Sequence, residues 1–148
     1  MPHNPIRIGI IGAGLFAREN HIPALLNLSS QFQIAAICTN TPESAAKAQA
    51  ILPKPVEVYY SMEDLVQQED IEAVDILLPI DMLPGAVEVS LVAGKHVIGE
   101  KPVAPTVDIA KNLLNIHARH STQIWMVAEN FRSAQSGAIA HPHTLVGG

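Results

Sequence analysis

Three residues near the start of the chain are spaced to hold a phosphate: Gly12, Gly14 and Ala17, in a Gly-x-Gly-x-x-Ala series. Backbone N–H groups at a helix N-terminus grip a pyrophosphate, because unpaired donors and the positive end of the dipole meet there. Gly12 permits the tight turn, Gly14 lets the backbone approach the phosphates with no Cβ in the way, and Ala17 lets the helix pack closely on its strand. Ala13, Leu15 and Phe16 complete the loop and join the candidate binding residues. A glycine turn without a ligand is the plain alternative. The apolar run before the loop and the helical pattern after it favour the phosphate reading.

Lys101 is the second candidate, in Ala93 to Pro102, where a glycine-ended helix leads into a short strand and then Glu100-Lys101-Pro102. Ligands bind at the C-terminal edge of a parallel sheet. A lysine there holds a hydroxyl, or moves a proton if its pKa is lowered. A solvated strand-end lysine is the ordinary alternative. Pro102 fixes the local turn, and the Lys101–Pro102 bond is a candidate for the cis form.

The third group closes the second strand, Cys38-Thr39-Asn40-Thr41. In NAD-binding folds a carboxylate about 20 residues past the glycine loop accepts the ribose 2′-hydroxyl. None stands here, and Thr39 and Asn40 can both hydrogen-bond a 2′-phosphate, with Lys47 placed to reach back from the next helix. These residues tilt the cofactor from NAD towards NADP. The competing reading is that Thr39 and Asn40 cap the helix beginning at Pro42.

Such groups need a scaffold, and the apolar pattern supplies one. Short near-continuous runs at Ile6 to Ile11, Ile34 to Cys38, Val74 to Leu78, His96 to Ile98 and Ile124 to Ala128, with a weaker one at Val56 to Tyr60, suit strands covered on both faces. Helical patterns lie between them. Leu83, Val87 and Leu91 follow i, i+4, i+8 and end at Gly94, while Val107, Ala110, Leu114 and His117 share a helix face with Leu113 beside it. Thr41, Ser61 and Thr106 are N-cap candidates, and Pro23 is expected to kink or end the first helix near His21. Strand–helix alternation gives an α/β fold, a doubly wound parallel sheet of the Rossmann type, over residues 1–132. An irregular tail is expected over residues 133–148.

Of the 148 residues, 48% are hydrophobic and 16% charged, which fits a compact α/β domain. A formal charge of -5 gives no basic footprint for nucleic acid or an anionic membrane. Cys38 is the only cysteine, so no internal disulfide forms. The start lacks a secretory pattern and no apolar stretch is long enough to span a bilayer, so a cytoplasmic protein is expected.

Taken in order, these landmarks resemble the Gfo/Idh/MocA family, which includes glucose–fructose oxidoreductase and inositol dehydrogenase. The resemblance rests on Gly9 to Gly14, Ile37 to Glu43, Val74 to Pro79, Ala93 to Pro102 and Asn130-Phe131-Arg132. It implies that the glycine loop cradles the pyrophosphate and that Leu78 and Pro79 border the cofactor. It further implies that Glu100 contacts the nicotinamide ribose, that Asn130 closes that wall, and that Lys101 is the catalytic or substrate-orienting lysine. Three departures stand out. Leu83 replaces a histidine found in many members, Thr39 replaces the usual acid, and the second α/β domain that carries much of the substrate site is absent from this sequence.

Lesser candidates read as structural. His141 and His143 lack a third ligand, so no metal site is expected. His117 and His120 lie on one helix, and Tyr59, Tyr60 and Trp125 read as strand and core aromatics. His21 lies within approach of the site without being counted in it. The resemblance implies an oxidoreductase that passes hydride between nicotinamide and a sugar, polyol or similar small molecule. A dinucleotide-binding module without catalysis, alone, as a homo-oligomer or beside a full-length homologue, and a truncated product without activity remain the alternatives.

Overall fold

The computed structural model describes residues 4–129. Asn130, the expected tail and His141 and His143 lie outside the described residues. Six strands form one sheet: β1 (Ile6–Ile11), β2 (Phe32–Cys38), β3 (Glu57–Tyr59), β4 (Ala73–Ile76), β5 (His96–Gly99) and β6 (Trp125–Val127). Their order is β3-β2-β1-β4-β5-β6, and every neighbouring pair is parallel. The order reverses between β1 and β4, so the connections leaving those strands part and open a crevice at their C-terminal ends. This is the doubly wound parallel sheet expected from the sequence.

Five helices cover it: α1 (Ile22–Asn27), α2 (Pro42–Gln49), α3 (Met62–Val66), α4 (Leu83–Val92) and α5 (Val107–Arg119). Alternation along β1 sorts the core. Ile8 and Ile10 pack with Ile22 and Leu25 of α1 and Ala48 of α2, whereas Ile11 joins the side chains of α3, α4 and α5 on the other face. Gly9 faces α3, where an added Cβ would lie 2.8 Å from Leu65 Cδ2. The β1–β2 register slips between Ile8 and Gly9, skipping Ala35. That slip turns Ile34 and Ile37, three apart, onto one face, which a regular strand would not do.

Thr41, Ser61 and Thr106 each accept a hydrogen bond from the backbone N–H three residues on. α4 lacks a side-chain cap, and its buried Leu83, Val87 and Leu91 hold it instead. Each such side chain contributes about 1.5–3 kcal/mol relative to exposure. Two expectations change. In α5 the buried side chains are Leu113 and Ile116, while Val107 and Leu114 are 68% and 58% exposed. The helix packs against α4, and that contact chooses a face rotated from the one its apolar residues suggested. At Pro23 the helix neither stops nor simply kinks. Residues Ala17–His21 form a wide π turn, with Ile22 N–H donating to Ala17 O, and α1 continues beyond it. Pro23 has no N–H to give, so the change of register falls where the ladder already lacks a donor.

Candidate functional site

The glycine loop runs from the end of β1 into a helical turn starting at Leu15. Gly12 has φ +99°, and a Cβ on it would lie 2.3 Å from the Leu77 carbonyl oxygen after β4. Only glycine meets both demands. Above Gly14 the opposite holds, since an added Cβ would meet no atom within 4 Å. Ala17 is buried at the base of the helix. The loop is tied on both sides: Gly12 N–H donates to Cys38 O at 2.9 Å, and Ser44 Oγ donates to Ala13 O at 3.1 Å.

Two cavities flank this loop. The first, about 530 Å³, is lined by Gly12, Ala13 and Gly14, by Thr39 and Asn40, and by Leu78 and Pro79. Thr39 is buried, and Asn40 is exposed. Neither caps α2, since Thr41 does so. Lys47 pairs with Glu43 at 2.5 Å and does not line the cavity. Tyr60 and Glu63 are among the lining residues that the sequence did not mark. Tyr60, expected in the core, is 58% exposed here, and Glu63 brings a carboxylate to the same wall. Cys38 also lines it, with burial, then the Glu63 and Asp64 charges, pushing its thiol up to about 11.

The second cavity, about 570 Å³, gathers Phe16, His21, Asp75, Glu100 and Lys101. Lys101 is exposed at the end of β5, and its bond to Pro102 is cis. Leu15, also exposed, lines neither cavity. A third cavity, about 700 Å³, opens at the N-terminal ends of β2 and β3 and holds none of the candidate residues.

His21 and Asp75 are the main surprise. Asp75, in the middle of the sheet, is 2% exposed, and its Oδ2 lies 2.7 Å from His21 Nδ1. His21 Nε2 lies 3.0 Å from Glu100 Oε1, and Glu100 Oε2 accepts the Lys101 N–H at 3.3 Å. The Phe16 ring packs on the imidazole at a centroid distance of 5.3 Å. Burial pulls the His21 pKa down. The hydrogen bond and charge of Asp75, then those of Glu100, outweigh it and leave the group above its ordinary value. One sequence signal was present: Asp75 is the single acid inside the apolar run Val74 to Leu78.

Among the described residues, no three His, Cys, Asp or Glu side chains are placed to hold a metal, and no helix is long and apolar enough to cross a membrane. His117 accounts for itself structurally, with Nε2 2.9 Å from Gln123 O and its ring edge-on to Trp125.

The sequence profile of an oxidoreductase family with an NAD-binding Rossmann fold matches residues 6–128. The chain belongs to the Gfo/Idh/MocA family. Among members, it is 33% identical to a dehydrogenase (FPY6) of Fusarium mangiferae, over 94% of this chain and 42% of that protein. It is 30% identical to an inositol 2-dehydrogenase of Serratia proteamaculans, over 95% of this chain and 44% of that one. The scyllo-inositol dehydrogenase of Lactobacillus casei, solved with NAD(H) and scyllo-inositol, superposes with a TM-score of 0.81 at 26% identity, covering 92% of this chain and 39% of that structure. The chain thus spans about two fifths of the Gfo/Idh/MocA relatives it matches.

Proposed function

We propose that this chain binds a nicotinamide dinucleotide across the C-terminal edge of its sheet, as the cofactor-binding part of an oxidoreductase acting on a sugar, polyol or related small hydroxy compound. The observation that carries the reading is the pair of glycines. Gly12 is pressed onto the Leu77 carbonyl, and the space above Gly14 is empty of protein where the backbone N–H groups of a helix start. A pyrophosphate fits that space. The two cavities on either side take the two halves of the molecule. Adenosine lies by Thr39, Asn40, Tyr60, Leu78 and Pro79, and nicotinamide lies by Phe16, Glu100 and Lys101.

The nicotinamide supplies the hydride chemistry when bound. The residues of this chain position the reacting partners. Glu100, at the edge of the same cavity, receives the nicotinamide ribose. Lys101, exposed at the strand end, polarises the substrate oxygen or carries its proton.

The adenosine cavity supports NAD over NADP, against the tilt of Thr39 and Asn40. Among the described residues its lining includes no lysine, arginine or histidine, and it includes Glu63. A dianionic 2′-phosphate would meet a carboxylate and no cation there. Titration of the purified chain with NADH and NADPH, followed by nucleotide fluorescence and thermal shift, tests both statements. Stabilisation by NADH exceeding that by NADPH is expected. Failure of both to bind a folded chain would overturn the reading. Binding without oxidation of any inositol or aldose would restrict it to a cofactor-binding module.

A further inference from the structure

Asp75 is costly where it stands. β4 lies between β1 and β5, and the flanking Val74 and Ile76 are fully buried. Asp75 Oδ1 has no hydrogen-bond partner among the described residues. A buried carboxylate with half its acceptors unmet is destabilising, and well-packed apolar residues often replace a buried ion pair at no loss. The feature that gives Asp75 a purpose is His21, whose ring it holds from below. His21 is the last residue of the π turn, a distortion that recurs at functional sites. The wide turn brings the imidazole over Asp75 and aims its far nitrogen at Glu100, and Phe16 packs on the ring.

We propose that His21 is a positioning residue: clamped by buried Asp75, it fixes the Glu100 carboxylate at the cavity that also holds Lys101, ready for the nicotinamide ribose. This rests on the cofactor reading above. An imidazolium donates to both carboxylates at once. A neutral ring keeps one N–H, which stays with Asp75 at the shorter distance, and the Nε2 lone pair then repels Glu100 Oε1. Among the described residues, Glu100 is then held only by the Lys101 N–H. The charged groups around His21 are Asp75 from β4, Glu100 and Lys101 after β5, Glu129 after β6 across the cavity, and Arg18 and Glu19 on its own turn.

The test is the affinity for NADH, with NADPH alongside, measured by nucleotide fluorescence from pH 6.5 to 9. Far-UV circular dichroism confirms the fold at each point. The native chain is expected to lose about tenfold in affinity as the pH rises, the value of one charge-assisted hydrogen bond. His21→Gln, which does not titrate, is expected to give a flat profile. Removing the buried carboxylate together with its partner, as His21→Leu with Asp75→Leu, keeps an apolar core. That double variant is expected to bind about tenfold more weakly than native at pH 6.5 and equally weakly at pH 9. Intact nucleotide binding with a flat native profile, or native affinity in the double variant at pH 6.5, overturns the proposal and leaves the cofactor reading standing. No binding of either nucleotide at any pH overturns the cofactor reading and this proposal with it.

Discussion

Replacing Gly12 by alanine adds one carbon atom at the tightest point of the fold. Left-handed backbone costs an L-residue roughly 1–2 kcal/mol. The new Cβ would also lie 2.3 Å from the Leu77 carbonyl oxygen and 2.9 Å from its carbon, and neither is the end of a flexible side chain. Relief requires the loop or the end of β4 to move. That strains Gly12 N–H to Cys38 O at 2.9 Å or Leu77 N–H to Ile11 O at 2.8 Å. Loss of one buried bond of this kind costs about 1–3 kcal/mol. Together these give a loss of about 2–5 kcal/mol, or about 5–15 °C in Tm for a chain of this size. Gly14→Ala is the matched control, because its Cβ enters open space. It should melt within about 0.5 kcal/mol of native and yet bind NADH at least tenfold more weakly, since the Cβ occupies room assigned to the pyrophosphate. Thermal melts by circular dichroism and NADH titration read the two effects separately. A native melting temperature in Gly12→Ala would refute the close approach to Leu77. Native affinity in Gly14→Ala would refute the placement of the phosphates.

Three further outcomes follow from side chains described above. Because the His21 pKa is raised in the folded chain, its contribution to stability is full below about pH 6.5 and is lost as the pH climbs through the higher folded value. Tm should therefore decline over that window in the native chain and not in His21→Gln, and equal slopes would contradict this. Cys38, with its thiol pushed from 9.0 to about 11, should react with iodoacetamide at pH 8 about a hundredfold more slowly in the folded chain than in urea. Equal rates would show that its burial is wrong. Lys95, buried with Nζ donating at 2.7 Å to both Gln68 O and Ile71 O, clasps the turn before β4. Lys95→Met leaves those carbonyls without their donor and should lower stability by about 2–4 kcal/mol in urea denaturation, with an unchanged midpoint as the contrary result.

The legible parts of this protein were those written in neighbouring residues. Gly12, Gly14 and Ala17 fall within one turn, so their types alone announced the loop, and Thr41, Ser61 and Thr106 marked their helix starts by local hydrogen bonding. The parallel sheet was visible in short apolar runs because both of its faces are buried. The buried face of α5 was not visible, because Val107 and Leu114 are as apolar as Leu113 and only contact with α4 decides between them. The His21 clamp was hidden for a different reason. Its partners lie 54 and 79 residues away in sequence, and topology alone sets Asp75 beneath the ring and Glu100 beside it. Tyr60 read as a core aromatic because it continues the β3 pattern, yet the strand ends at Tyr59 and Tyr60 lines the cavity beside Thr39 and Asn40.

The π turn at Ala17–His21 amounts to one residue more than a regular helix needs between the glycine loop and α1. Removing a single residue there would restore even winding and rotate the flanking positions by about 100° relative to each other. The histidine would then leave its place above the sheet, although every residue type around it stayed the same. The length of this segment is therefore information in its own right. In a relative with one residue fewer between the glycine loop and the proline of α1, a histidine at this column would no longer reach the buried aspartate. A substitution count across the same columns would miss the difference.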